Sequence, residues 1–321
     1  MNFSQFKQEF QKTSVYHYKN EVPNNVLVSV IVQTFNHEKY LSQCLDSILA
    51  QKTNFNFEIL IGEDKSSDKT RDICIEYAKT FPEEIRLFLH TPENKIWVLN
   101  NPTGNFNAFY NLFSANGDYI AFCEGDDAWT DQFKLQKQVD YLATHPEYSF
   151  SYHSFKTIDE KSLTTLSAEE NNQPTFNINS YDLKTNKYHP LLLTICFRNL
   201  FQQIPEEMIN VINVDTFIIS LLGNHGDGKF LDSIEPSLYR KHLGGIWSHS
   251  LYEKKNRSKI LTYKNLSEYY QRDTNNLLKK HFENLAINSY KSLIYFQLKK
   301  FSVLDGSLTF TEFLKFKYFG K

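Results

Sequence analysis

Tyr119-Ile-Ala-Phe-Cys-Glu124-Gly125-Asp126-Asp127-Ala-Trp129 decides the fold, because an unbroken apolar run stops on three carboxylates packed into four residues. The run reads as a buried strand. Gly-Asp and Asp-Gly pairs ordinarily make turns, and a turn is one reading here. The other is a ligand site, since carboxylates crowded at a strand end repel one another unless a cation or strong donors lie between them. An oxygen-rich turn of this kind suits Mg²⁺ or Mn²⁺ holding a phosphorylated ligand.

Upstream of this stretch, strand and helix signals alternate. Residues 26–32 form a β-branched strand that runs into Thr34-Phe35-Asn36-His37, and residues 39–51 place apolar side chains at helical spacing. A second strand over 57–61 ends at Gly62-Glu63-Asp64, after which Ser67 or Asp68 caps a helix closed by Phe81-Pro82. A strand over 86–89 and a helix over 105–115 lead into the strand at 119–123, and a further helix covers 131–143. Strands alternating with helices of this length imply right-handed crossovers and a mostly parallel sheet. In such sheets ligands bind beyond the carboxyl ends of the strands. Thr34-Phe35-Asn36, Glu63-Asp64 and Glu124-Gly125-Asp126-Asp127 should therefore converge on one crevice.

Residues 157–187 are rich in Asn, Thr, Ser and Lys and read as a surface excursion, and residues 251–321 read as helices among many Lys and Asn, with helical spacing over 261–278 and 282–301. The chain of 321 residues divides into a lead segment over 1–25, an α/β domain over 26–250 and a C-terminal helical region over 251–321. With 35 Lys+Arg against 37 Asp+Glu, the balance argues against a general nucleic-acid binder. No stretch has the length and apolarity of a membrane span or a signal peptide, so a cytoplasmic protein is expected. Cys44, Cys74, Cys123 and Cys196 are far apart beside apolar residues and read as reduced core residues.

Several polar residues carry two readings. Asp64 is either a turn residue or a carboxylate that accepts a hydrogen bond from a pyrimidine ring N–H or a ribose hydroxyl. Asp215 precedes an apolar helix, so it is either a cap or first-turn acid or, near the crevice, a general base. In Tyr239-Arg240-Lys241-His242-Leu-Gly244-Gly245-Ile-Trp247 the cations suit phosphate, His242 suits a metal, and the glycines permit loop closure. The bland reading of His242 is a structural histidine.

Together these motifs, in this order, resemble a family 2 glycosyltransferase with the GT-A fold, over roughly residues 26–250. The resemblance rests on Val28-Ser-Val-Ile-Val32 with Thr34-Phe35-Asn36, on Glu63-Asp64 with Ser66-Ser67-Asp68-Lys-Thr70, on Cys123-Glu-Gly-Asp-Asp-Ala-Trp129 with Lys134-Leu-Gln-Lys-Gln138, and on Tyr239-Arg240-Lys-His242-Leu-Gly244-Gly245. It implies a Rossmann-like, mostly parallel sheet flanked by helices, with a nucleotide-sugar half over 26–130 and an acceptor half over 131–250. It also implies transfer of a sugar, with inversion, from a nucleotide-sugar donor, UDP-sugars first, to a hydroxyl on a glycan or lipid-linked acceptor. Carried over, Thr34, Phe35 and Asn36 line the nucleotide pocket with Glu63 and Asp64, and Glu124 stands at the first acid of the DxD motif. Asp126 is then the direct metal ligand, with His242 and Asp127 as further metal contacts, Arg240 as the diphosphate cation and Asp215 as the base. Two departures stand out: Glu replaces the commoner Asp at 124, and Asp215 sits in Val-Asp-Thr instead of the usual Glu-Asp pair. The alternatives are a non-catalytic nucleotide-sugar-binding subunit and a nucleotidyltransferase, whose Gly-rich phosphate loop this chain lacks. The composition fits an AT-rich bacterial genome and hence surface polysaccharide or lipooligosaccharide synthesis. The C-terminal helices are expected to pack on the catalytic domain, form a homodimer, or touch the inner face of the plasma membrane.

Overall fold

The computed structural model describes residues 1–165, 172–244, 251–300 and 302–319. Gly245 and Trp247 lie outside the described residues. The chain forms two compact units, one of residues 1–204 and 218–244, the other of residues 205–217 and 245–321. These limits differ from the sequence boundaries at both ends. Residues 1–25 belong to the first unit, and the short segment 205–217, with Asp215 in it, belongs with the C-terminal helices.

The first unit is built on a mostly parallel sheet. Its strands are β1 (Tyr16–His17), β2 (Val28–Thr34), β3 (Phe57–Glu63), β4 (Ile85–Leu89), β7 (Tyr119–Phe122), β8 (Tyr148–Tyr152), β11 (Cys196–Arg198) and β12 (Asp227–Phe230), in the order β1-β4-β3-β2-β7-β11-β8-β12. Between them in sequence come the hairpin β5 (Trp97–Val98) and β6 (Asn101–Pro102) and the strands β9 (Phe155–Ile158) and β10 (Thr164–Thr165). β2, β3, β4 and β7 are mutually parallel, while β1 and β11 run antiparallel to their neighbours. Central strands covered on both faces should be apolar throughout, and Val28, Val30, Ile31, Val32, Ile59, Leu60 and Ile61 are all fully buried. Helices α2 (Leu41–Leu49), α3 (Thr70–Thr80), α4 (Asn105–Ser114) and α5 (Lys134–Thr144) follow β2, β3, β6 and β7.

Several elements escaped the sequence reading. Helix α1 (Phe3–Phe10) is closed by a capping box between Asn2 and Gln5, and its Phe6 ring packs on Phe106 and Phe109 of α4. β8 alternates Tyr, Ser and Phe and lacks the β-branched signature that marked β2. β11 is three residues long and is inserted between β7 and β8, a pairing that only distant partners dictate. A small sheet, β10-β9-β13, adds β13 (Ser237–Arg240), which runs parallel to β9. Within the excursion at 157–187, the described residues include the short α6 (Ser180–Lys184) and the buried Ile178 and Leu183.

The second unit holds α7 (Glu206–Ile209) and the first turn of α8 (Val214–Leu222), which carries Asp215, while residues 218–222 of α8 belong to the first unit. The tail folds as α9 (Tyr252–Arg272), α10 (Asn276–Lys299) and α11 (Val303–Phe319). The helix expected over 261–278 is broken near its end, because Thr274 adopts φ 60° and the Asn275 side chain caps α10 by accepting the Leu278 N–H. Tyr270 stacks on Phe282 and Tyr252 meets Phe296, so α9 and α10 are antiparallel, and Phe313 of α11 packs on Tyr290. No helix among the described residues is long and apolar enough to cross a membrane.

Candidate active site at the carboxyl ends of the parallel strands

Successive side chains along a strand point to opposite faces, and at the end of β3 this separates Glu63 from Asp64. Glu63 is fully buried and turns inward, where one oxygen accepts the Ser66 N–H at 2.6 Å and the other pairs with Arg71. Arg71 also donates to the carbonyl of His90 at 2.9 Å. Both Glu63 oxygens are thus engaged inside the protein, by Ser66 and Arg71. Asp64 faces the other way and forms an ion pair with Lys95 at 2.9 Å. Burial raises the Asp64 pKa above the usual carboxylate range, and the Lys95 charge works against that rise.

The Lys95 ammonium also lies 4.9 Å from the centre of the Phe35 ring, an exposed aromatic at the end of β2. Lys95 was not among the sequence candidates, since a lysine in a loop gives no local signal. Asn36 holds φ 57°, a left-handed conformation that Asn tolerates. Its backbone N–H donates to Ser66 Oγ, and its Oδ1 accepts the Ser67 N–H at 2.8 Å. Asn36 therefore ties the β2 and β3 ends together.

The second acidic turn repeats this division. Gly125 donates its N–H to the Gln33 carbonyl, and a Cβ there would lie 2.7 Å from Thr34 Oγ1 and 2.8 Å from His37 Nδ1. Only glycine allows the turn to sit so close to the end of β2. Asp127 is buried and its Oδ1 accepts the Arg240 N–H at 2.8 Å. Burial, with the charges of Asp126 and Glu124, pushes its pKa well up. Asp127 thus faces Arg240, and the metal-competent cluster does not include it. β13 is held here by paired hydrogen bonds between Ala128 and Leu238.

Arg240 is itself buried. Its guanidinium donates to the Asp126 carbonyl, the Asp159 carbonyl, Ser162 Oγ and Gln43 Oε1, and packs over the Tyr40 ring. These bonds make Arg240 a clamp on the turn. The Lys134–Gln138 motif does related work: the buried Lys134 ammonium lies 4.1 Å from the Trp129 ring centre and donates to Gln138. Burial lowers the Lys134 pKa to about 8. Gln138 in turn donates to the carbonyls of Ser151 and Thr194, and Trp129 to that of Leu193, fixing the start of α5 beneath the turn.

Asp126 points out of the turn. Its Oδ2 lies 3.0 Å from His242 Nε2 and 3.9 Å from His37 Nε2. Burial works against the Asp126 carboxylate, but the hydrogen bond from His242 and the proximity of His37 outweigh it and hold the group below its ordinary value. Its second oxygen, Oδ1, is buried and finds no hydrogen-bond partner among the described residues. His37, Asp126 and His242 each offer one ligand atom, all within 4.8 Å of one another. One carboxylate, two imidazoles and an orphaned buried oxygen fit a divalent cation. The sequence reading placed Asp126 and His242 at such a site and passed over His37, which directly follows Thr34-Phe35-Asn36. Glu124 stands at the exposed edge of the turn, where its carbonyl accepts the Asp127 N–H. Asp215 lies in the second unit, and its Oδ1 accepts the Thr216 N–H at 2.8 Å.

The family model for glycosyl transferase family 2 matches residues 29–205, more than half of the chain and the part that holds both acidic turns. The chain belongs to that family. An uncharacterised protein of Mycobacterium tuberculosis is 32% identical over 230 residues, 70% of this chain and 61% of the relative, so this chain spans about three fifths of that relative's length. An Escherichia coli glucosyltransferase, named for transfer from UDP-Glc to α-D-GlcNAc-diphosphoundecaprenol, is 31% identical over 140 residues, 44% of this chain and 50% of its own. Among solved structures, S. aureus TarS in complex with UDP-GlcNAc matches with a TM-score of 0.54 at 17% identity, over 84% of this chain and 81% of that one. The Pyrobaculum calidifontis mannosyltransferase PcManGT, in complex with GDP-Man and Mn²⁺, matches with a TM-score of 0.50 at 13% identity, over 98% of this chain and 87% of that one. These likenesses are of fold, and the fold of the family 2 enzyme is GT-A.

Proposed function

We propose that this protein transfers a sugar, with inversion, from a nucleotide-sugar donor of the UDP type to a hydroxyl of a glycan or lipid-linked acceptor in bacterial surface polysaccharide synthesis. The observation that carries the reading is the outward face of the two acidic turns: Phe35, Asp64 and Lys95 beside one, and Asp126 with two imidazoles at the other. Phe35 offers a ring for a base to stack on, and Asp64 an acceptor for a ring N–H or a ribose hydroxyl. Thr34 and Asn36 hold these groups in place at the end of β2, and Glu124 is ascribed the ribose contact. Residues 26–130 are ascribed the nucleotide half and 131–250 the acceptor half.

Asp126 and His242 would hold Mn²⁺ or Mg²⁺, which when bound neutralises the charge that gathers on a departing diphosphate. Lys95 adds a fixed positive charge on the donor side. Asp215 accepts the proton of the attacking hydroxyl, an assignment supported by its place in the family's motif order. One displacement at the anomeric carbon inverts its configuration.

A panel of UDP-, GDP- and dTDP-sugars, read by thermal shift and by transfer in Mn²⁺, tests the reading. Stabilisation by a UDP-sugar that EDTA weakens is expected, and Asp215→Asn should keep donor binding while losing transfer. No stabilisation by any sugar nucleotide, or unchanged transfer by Asp215→Asn, would overturn it. Exposed Tyr295 and Leu298 beside Lys299 and Lys300 of the C-terminal helices suit contact with an anionic membrane surface. Flotation with anionic but not neutral liposomes is expected, and equal recovery in both denies that contact.

A further inference from the structure

We propose that His37 is a third protein ligand of the divalent ion, making a His–Asp–His set that prefers a transition ion such as cobalt, zinc or manganese to magnesium. This deepens the metal reading above and rests on it. Metal–ligand bonds of about 2.1 Å put neighbouring ligand atoms about 3.0–3.5 Å apart. His242 Nε2 already stands 3.0 Å from Asp126 Oδ2, His37 Nε2 stands 3.9 Å from it, and the three ligand atoms all lie within 4.8 Å of one another, close to that spacing.

The distances also argue against a purely structural cluster. At 3.9 Å, His37 is too far to hydrogen-bond the carboxylate. Asp126 Oδ1, meanwhile, is buried without a partner among the described residues, an arrangement that is costly unless something else occupies it. A cation facing both oxygens and both imidazoles answers each point.

His37 is oriented as a ligand should be. Its Nδ1 lies 3.3 Å from Thr34 Oγ1, its backbone N–H donates to Thr70 Oγ1 at 2.7 Å, and the missing side chain of Gly125 leaves room for the ring. With the Nδ1 proton given to Thr34, Nε2 keeps its lone pair for the metal, the usual outer-shell arrangement of metal-bound histidine. Magnesium favours all-oxygen sites and keeps its waters, whereas imidazole pairs suit later first-row ions.

Metal alone, without nucleotide, is the probe. Co²⁺ is titrated into the full chain and followed by its visible absorption, with Mn²⁺ and Mg²⁺ compared by calorimetry. The wild type should bind Mn²⁺ at least about tenfold more tightly than Mg²⁺. His37→Gln should weaken Co²⁺ binding about tenfold or more and narrow the Mn²⁺/Mg²⁺ ratio, with Thr34→Val giving a smaller loss. Unchanged Co²⁺ binding by His37→Gln, while Asp126→Asn abolishes it, would remove His37 from the site and leave the metal reading standing. Equal affinity for Mg²⁺ and Mn²⁺ overturns the proposed preference, and no Co²⁺ uptake by the wild type overturns the metal reading along with it. Pulsed electron spin resonance of the wild-type Mn²⁺ complex needs no variant: two coupled imidazole nitrogens support His37, and one excludes it.

Discussion

The two acidic turns, Glu63-Asp64 at the end of β3 and Asp126-Asp127 after β7, use neighbouring carboxylates in opposite ways. In each, one acid is buried against an arginine or its backbone, Glu63 on Arg71 and Asp127 on the Arg240 N–H. The other turns away from that arginine toward a cation or imidazoles, Asp64 to Lys95 and Asp126 to His242. The inward acid is not the same member in both: it comes first after β3 and second after β7. Adjacent acids at a strand end therefore divide into one that holds the turn and one that pairs on the other side with a lysine or a histidine, and order in sequence does not say which.

This division gives paired expectations. Asp126→Ala should lower transfer by about 10³-fold, equivalent to about 4 kcal/mol, with the melting temperature nearly unchanged. Asp127→Ala should instead lose about 1–3 kcal/mol of stability, because the buried Arg240 N–H loses its acceptor. Steady-state kinetics and urea denaturation on both variants check this, and a large stability loss in Asp126→Ala would break the comparison.

At the first turn, Glu63→Gln should cost about 1–3 kcal/mol, less than a fully buried pair because Arg71 is partly exposed. Asp64→Asn should raise the donor KM about tenfold with little change in melting, the loss of one charge-assisted hydrogen bond. If both variants altered only stability, the donor-contact role of Asp64 would be wrong.

The smallest effect concerns what lies behind Glu63. Burial, helped by the charge of Arg71, lowers the His90 pKa from 6.5 to about 3. Below pH 6.5 the unfolded chain takes up a proton that the folded chain refuses, so this contribution to stability is complete above pH 6.5 and is lost as pH falls toward 3. His90→Leu should shed that dependence and retain about 1–2 kcal/mol more of its neutral-pH stability at pH 5 than the wild type. Urea titrations at pH 7 and pH 5 would sharpen the picture, and identical slopes for both proteins would refute it.

Much of this was legible in the chain. The β-branched runs at β2 and β3 and the apolar run at β7 announce buried parallel strands, and the polar residues that stop them gather at one end of the sheet. Asp64, Asp126 and His242 became candidates that way. Lys95 and His37 were not: a loop lysine has no pattern, and a histidine after a strand reads as turn chemistry until its neighbours are known. Arg240 and Glu63 looked like ligand contacts because charge at a strand end is all the sequence displays. Their partners in the fold, Gln43, Asp159 and Arg71, lie on other segments.

The sequence by itself determined the parallel strands, the helices between them and the clustering of acids at one end of the sheet, because hydrophobic periodicity and turn chemistry are local. The tertiary structure alone decided which acid of each pair turns away from the arginine. Lys95 reaches Asp64 across 31 residues, Arg240 reaches Asp127 across 113 and His242 reaches Asp126 across 116. A carboxylate at a strand end turns toward whichever donor the fold delivers, and that donor is set by the pairing of distant strands.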